Sequence, residues 1–345
     1  MRLADFDYFL PKELIAQEPI EPADHSWLMI VNRQNKTFSR HYFYEIKDYL
    51  EPKKDILVFN DTKVIPARLI GKKISGGKQE VLLLRSENDF NSELWTENWR
   101  VIGSPSLKIN QEIIFHQDLK AKVIKIINSE RIIAFNQKGE KLKNLIFQIG
   151  QIPLPPYIKH PTQKSFKKYQ TVYAQKEGSV AAPTAGFHFT ENLLNQLKEK
   201  GIEMEYLTLH IGLGTFQPVK TKNIKEHKMS EEYFELSPQT AQNLNEAKRK
   251  GKRIIAVGTT VCRVLESCSE NNKLKPQKGW TNLFIYPGYQ FKFIDALITN
   301  FHLPKSTLLM LVCAFGGYEL ILKAYQEAIR QKYRFYSFGD AMFIQ

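Results

Sequence analysis

Cysteine is scarce in this chain: three among 345 residues, at Cys262, Cys268 and Cys313, with no Cys-x-x-Cys pair. An odd set without that spacing argues against both a disulfide framework and a zinc site. No run approaches the roughly 18 to 20 apolar residues that span a bilayer, so no membrane partner is expected. The start, Met1-Arg2-Leu3-Ala4-Asp5-Phe6-Asp7, has early acids and no long apolar stretch, unlike a signal peptide. No internal repeat and no low-complexity tail interrupts the chain. The expectation is a protein of a reducing cytoplasm.

What is present is ample core material, 43% hydrophobic and 12% aromatic residues, which argues against disorder. The length suits one large domain or two. Formal net charge is +13, from 49 Lys and Arg against 36 Asp and Glu. Such a surplus attracts polyanions, although Lys spread over a solvated surface produces the same number.

Ser26 to Val31 and Asp55 to Phe59 read as strands, the second nearly all apolar and so buried on both faces. Asn60-Asp61-Thr62 then breaks the pattern. From Lys63 to Gly150 short β-branched runs alternate with turn residues, the texture of a small barrel or sandwich. The fold expected is an α/β main domain, residues 1–62 plus 151–345, carrying an inserted all-β barrel-like domain at 63–150. Pro153-Leu154-Pro155-Pro156 reads as a stiff return linker. After it, Thr190 caps a helix ending at Gly201, Met204 to Ile211 is a strand, and Ser237-Pro238 starts a second helix. Arg253 to Val257 is a strand and Val261 to Cys268 a helix. Thr307 to Ala314 reads as a buried strand and Gly317 to Lys332 as a helix.

Five stretches offer chemistry. Ala181-Ala182-Pro183-Thr184-Ala185-Gly186-Phe187-His188 is a small-residue turn running into a helix, with His188 at its rim. Leu209-His210-Ile211-Gly212-Leu213-Gly214-Thr215 ends a strand in a Gly-x-Gly turn, a weak signal because no helix follows. Val257-Gly258-Thr259-Thr260 joins strand to helix, and Arg263 and Glu266 share a face of that helix, as a surface ion pair would. Thr299-Asn300-Phe301-His302 lies at an expected strand entrance, shortly after the aromatic turn Tyr286-Pro287-Gly288-Tyr289. Lys159, His160, Lys164, Lys167 and Lys168 lie among Tyr157, Phe166, Tyr169 and Tyr173, suited to phosphates and unpaired bases of RNA. The cysteines read as small buried apolar residues.

Together these stretches resemble the S-adenosylmethionine:tRNA ribosyltransferase-isomerase family of queuosine biosynthesis. The likeness runs through Asp55-Ile56-Leu57-Val58-Phe59-Asn60-Asp61-Thr62, Pro153 to Ile158, Tyr169 to Ala174, Ala181 to Phe189 and Thr208 to Val219. It continues through Val257 to Thr260, Ile285 to Gly288, Thr299 to Leu311 and Tyr333 to Ile344, in the family's order over essentially the whole chain. The departure is Val261-Cys262-Arg263-Val264, bulkier than the small residues the family carries after Gly-Thr-Thr.

The resemblance implies transfer and isomerisation of the ribosyl group of S-adenosylmethionine, without metal or redox cofactor. The acceptor is tRNA carrying 7-aminomethyl-7-deazaguanine at the wobble position, and the products are epoxyqueuosine in tRNA, adenine and methionine. A sulfonium acidifies the neighbouring ribose carbon, and protonation helps adenine leave, so proton transfer is needed but no protein nucleophile. His188 and His210 are assigned to proton transfer in either order, with Asp340 and Glu266 as further candidates. Thr184, Gly186, Gly258, Thr259, Thr260, Arg263, Asn300 and His302 line the substrate pocket; Tyr286 and Tyr289 stack on a base. Lys63, Arg68, Lys167, Lys168 and Arg334 grip tRNA phosphates. A monomer is expected. The rival readings are an S-adenosylmethionine-dependent RNA methyltransferase and a non-catalytic RNA-binding protein.

Overall fold

In this computed structural model, residues 1–87, 95–212, 214 and 219–345 are described. The first strands are β1 (Trp27–Asn32), β2 (Thr37–Tyr42), β3 (Asp55–Asn60) and β4 (Thr62–Val64). Next come β5 (Arg68–Lys73), β6 (Lys78–Ser86), β7 (Asn98–Ser104), β8 (Glu112–His116), β9 (Leu119–Ile127), β10 (Glu130–Phe135) and α1 (Gly139–Ile149). Then follow α2 (Gln163–Lys168), β11 (Lys176–Ser179), α3 (Glu191–Glu199), β12 (Glu203–Leu209), β13 (Glu232–Leu236), α4 (Pro238–Arg249), β14 (Arg253–Val257) and α5 (Thr259–Cys268). The chain finishes with β15 (Ser269–Glu270), β16 (Lys273–Leu274), β17 (Gln277–Thr281), β18 (Ala296–Asn300), α6 (Thr307–Gly316), α7 (Tyr318–Arg330) and β19 (Ala341–Ile344).

Contacts divide the chain into one unit of residues 1–62, 155–176 and 182–345 and another of 63–154 and 177–181. The first is the α/β unit. Its nine-stranded sheet runs β17-β13-β12-β3-β14-β18-β19-β1-β2. Strands β12, β3, β14 and β18 are mutually parallel, whereas β19 opposes β18 and runs with β1. One face packs Leu57, Phe59, Val257 and Ile298 against Phe189, Leu193 and Leu197 at the start of and along α3. The second unit is a closed antiparallel barrel, β10-β7-β6-β5-β8-β9, filled by inward residues such as Leu69, Val81, Trp99, Val101 and Ile133. The expected fold class, α/β with a β-barrel insertion, is observed.

Several local expectations change. Thr307–Gly316 is a helix, not a strand: the Ser306 hydroxyl accepts from Leu309 N at 3.2 Å and starts it. A short apolar run cannot by periodicity tell a buried helix from a buried strand, and here the cap decides. Gly139–Ile149, read as part of the β texture, is a helix burying Leu142 and Ile146. Asn300 stands at the exit of β18, not at a strand entrance. No single helix among the described residues is long and apolar enough to cross a membrane.

Candidate functional site

Parallel pairing brings the carboxyl ends of β12, β3, β14 and β18 to one edge of the sheet, which places His210, Asn60, Gly258 and Asn300 there. Ala341 pairs with Asn300 and with Leu28, so Asp340 and Ser26 join the same edge. Open α/β sheets bind ligands at this edge.

His188 ends the 3-10 turn Thr184–His188 and is 3% exposed, with Phe43 stacked on it at 4.9 Å. Its Nδ1 lies 2.6 Å from the Ser26 hydroxyl and its Nε2 3.1 Å from Asn300 Nδ2. Asn300 Nδ2 also donates to the Tyr336 carbonyl at 3.1 Å, and a carbonyl only accepts. The amide orientation is thereby set, the Thr184 hydroxyl donates to Oδ1 at 3.2 Å, and His188 Nε2 is the acceptor. Nδ1 therefore carries the proton and donates it to Ser26. Burial, with the Arg334 charge adding to it, pushes this imidazole down to about 3, so it is neutral at pH 7. The adjoining crevice, lined by Pro19, Ser26, Phe187, His188 and Phe338, measures about 20 Å³. That is room for a water molecule.

His210 differs. It is half-buried, its Nδ1 meets the Thr62 hydroxyl at 2.7 Å, and Tyr233 stacks on it at 5.8 Å. No described residue bonds its Nε2. Burial pushes it down to about 4. The neighbouring Gly-x-Gly turn is partly outside the described residues, at Leu213 and 215–218.

Asn60 ties three strand ends together. Its Nδ2 donates to Leu209 O at 3.0 Å and to Thr260 Oγ1 at 3.2 Å, and its Oδ1 accepts from Leu209 N at 3.0 Å. Gly258 joins β14 to α5 at φ +99, a left-handed backbone that favours glycine, and Thr259 and Thr260 behind it are buried. Sequence reasoning passed over Ser26 and Asn60. The signal for Asn60 was a buried apolar strand ending in three polar residues.

Other candidates are held elsewhere. Arg263 and Glu266 do not pair with each other and are not on the surface, being 4% and 1% exposed. Arg263 pairs with buried Glu232, whose other oxygen accepts from Gly212 N at 3.1 Å. Glu266 accepts from the backbone N–H groups of Lys292, Phe293 and Ile294 and from the Tyr289 hydroxyl. It organises that loop, and both its oxygens are taken. Tyr286 sits against Phe284 at 5.0 Å. Asp340 accepts from Trp27 N at 2.9 Å and Arg334 N at 2.6 Å, and burial raises it to about 6. His302 turns to Thr299, 2.8 Å from its hydroxyl, and not to His188; burial pushes it down to about 3. Strand alternation explains this, because Thr299 and Asn300 face opposite ways.

Among the basic residues, Arg334 is half-buried and bonds the Glu18 carbonyl. Lys168 pairs with Glu21, Lys63 with Glu177 and Arg68 with Glu80, all partly exposed, while Lys167 is exposed. The cysteines are buried and free, and burial pushes the Cys268 and Cys313 thiols up to about 12. Two roomier clefts, about 740 and 530 Å³, flank α4, and neither contains a residue of the carboxyl edge.

Residues 3–344 match the model of a family described as queuosine biosynthesis protein. The S-adenosylmethionine:tRNA ribosyltransferase-isomerase of Halothermothrix orenii is 51% identical over 350 residues, covering 100% of both chains. That of Carboxydothermus hydrogenoformans is 50% identical, again over 100% of both. The crystal structure of S-adenosylmethionine tRNA ribosyltransferase from Thermotoga maritima aligns with a TM-score of 0.57 and 36% identity, covering 99% of this chain and 100% of that one.

Proposed function

We infer, since this chain belongs to the queuosine biosynthesis protein family, that it transfers and isomerises the ribosyl group of S-adenosylmethionine onto a modified base in tRNA. The observation that carries this is the full-length match to ribosyltransferase-isomerases. The acceptor is the aminomethyl-deazaguanine at the wobble position, the products are epoxyqueuosine in tRNA, adenine and methionine, and the enzyme works as a cytoplasmic monomer. S-Adenosylmethionine is consumed as ribosyl donor.

The chemistry asks for a proton acceptor near the ribose carbon beside sulfur and a donor near adenine. His210 serves as the group that exchanges protons with substrate: Thr62 holds Nδ1, and no described residue occupies Nε2. His188 has both nitrogens engaged, so it reaches substrate only when Asn300 turns its amide to the ligand. Thr184, Gly258 and Thr260 line the pocket between them. Lys167 and Lys168 meet the tRNA backbone, and the wobble base leaves its stack to enter.

The test is mass spectrometry of purified protein incubated with S-adenosylmethionine and tRNA bearing the aminomethyl base. Free adenine, methionine and an epoxycyclopentyl addition are expected. Methylated RNA with S-adenosylhomocysteine would make it a methyltransferase, and tight tRNA binding without reaction a binding module. His210→Gln and His188→Ala are each expected to lower turnover about 10²- to 10⁴-fold with tRNA affinity nearly intact; wild-type rates would remove them from the mechanism.

A further inference from the structure

Asp61 is 7% exposed and follows β3 directly. Its N–H donates to Leu207 O at 2.9 Å, and its carbonyl accepts from Gln175 N at 2.8 Å and Lys176 N at 3.1 Å. The residue is thus pinned between β12 and the 173–176 segment. Its Oδ1 accepts from the Thr208 hydroxyl at 2.6 Å. Among the described residues no Lys or Arg forms an ion pair with it; the Lys176 ammonium goes to Glu235 at 2.6 Å instead. A buried carboxylate without a cation is costly, and burial raises the Asp61 pKa accordingly.

Three rings stand together beside it. Phe59 and Tyr206 stack at 5.6 Å, Tyr173 meets Phe59 edge-on at 4.9 Å, and Tyr173 lies 5.8 Å from Tyr206. Burial raises the pKa of both tyrosines, and the Asp61 charge adds to it in each. The Tyr173 hydroxyl is buried without a hydrogen-bond partner, as is the Thr171 hydroxyl. A Cβ at Gly186 would come within 1.9 Å of that tyrosine oxygen and 2.8 Å of the Thr171 methyl, so only glycine leaves both in place. Native folds rarely leave buried hydroxyls unsatisfied, and a ligand is one thing that satisfies them.

We propose that Asp61, Tyr173 and Tyr206, backed by the core residue Phe59, form a carboxylate–aromatic pocket for the sulfonium of S-adenosylmethionine; the assignment rests on the function inferred above. A sulfonium has a diffuse charge and no N–H donor, so ring faces and a carboxylate already bonded by Thr208 suit it better than an ammonium. The Thr171 and Tyr173 hydroxyls face the adjoining ribose oxygens. Asp61 precedes Thr62, which holds His210. A sulfonium at Asp61 therefore brings the acidified ribose carbon toward that imidazole.

The test is calorimetric titration of the full chain with S-adenosylmethionine and with S-adenosylhomocysteine, which lacks the methyl group and the charge at sulfur. Wild type is expected to prefer the sulfonium at least about tenfold. In Asp61→Asn that preference disappears, while affinity for the neutral thioether changes less than about threefold. Tyr206→Leu, at a partly exposed position, lowers the preference about two- to fivefold. A preference kept in Asp61→Asn, or an equal loss for both ligands, overturns the pocket. Should Asp61→Asn not fold, an unchanged preference in Tyr206→Leu overturns it. Wild type that binds neither ligand would instead bring down the inferred function.

Discussion

The barrel unit and the α/β unit bury different kinds of side chain. Inside the barrel, Leu69, Val81, Leu83, Trp99, Ile113 and Val123 fill the space, and Gln79 is a buried polar residue whose amide is bonded to Pro105, Glu80 and Gln111. At the carboxyl edge of the α/β sheet the buried residues include Asn60, Asp61, His188, Glu232, Arg263, Asn300 and Asp340. Burying polar groups costs free energy unless they are bonded. A chain that builds an apolar barrel could have built an apolar edge as well. Polar groups gather at this edge, and among them His210 Nε2, the Asp61 carboxylate and the Tyr173 hydroxyl are sparsely bonded, which is why the proposed mechanism gives them to substrate.

That contrast breaks most sharply at Arg263. Arg263→Met removes the guanidinium that neutralises the buried Glu232 carboxylate, at an expected cost of about 3–5 kcal/mol in urea unfolding. Adding Glu232→Gln is expected to recover much of the loss. A barrel change of similar size, Trp99→Ala, costs about 3–5 kcal/mol through the cavity alone. No second substitution of a charge partner rescues it, and rescue of that kind would erase the distinction between the units.

Acid sharpens the comparison at a smaller scale. The folded values of His188 and His302 lie near 3, below the ordinary histidine value. Their stabilisation is therefore present above about pH 6.5 and lost as pH falls toward 3. Between pH 7 and pH 5 each is expected to weaken the α/β unit by about 2 kcal/mol. Asp340, raised to about 6, works the other way: its contribution is present at low pH and lost as pH rises through 6, offsetting about 1 kcal/mol on acidification. Trp27 and Trp280 lie in the α/β unit and Trp95 and Trp99 in the barrel, so a Trp95→Phe, Trp99→Phe protein reports the α/β unit by fluorescence. His302→Asn is expected to flatten its pH dependence, and an unchanged slope would mean the imidazole is not titrating there.

The smallest effects belong to the surface. Lys167→Ala is expected to weaken tRNA binding a few-fold regardless of base sequence and to lower the salt slope by about 1. Lys168→Ala, which gives up an exposed pair with Glu21, is expected to leave stability nearly unchanged. A salt slope unaffected by both would place the tRNA elsewhere.

Much of the site was legible because strand ends carry it. His188, His210, Gly258 and Asn300 each stood out as polar or glycine interruptions of apolar runs; parallel pairing gathers the last three at one edge, and His188, from its 3-10 turn, joins them through Asn300 and Ser26. Ser26 and Asn60 were not legible as partners: a serine before a strand and an asparagine after one acquire meaning only from what faces them across more than a hundred residues of chain. The pairing of Arg263 with Glu232 was hidden in the same way, since helix spacing points to Glu266.

The sequence by itself determined the two kinds of β structure, the apolar strands of the sheet and the short strands of the barrel, because side-chain alternation and turn residues are local properties. It also located the capped helices at Thr190 and Ser237. The tertiary structure alone decided that His188 carries its proton on Nδ1, and that Asp340 and Glu266 brace backbone rather than stand free. The reason is physical. Protonation and bonding state depend on what surrounds a group in space, and burial beside a distant partner is a property that no stretch of sequence contains.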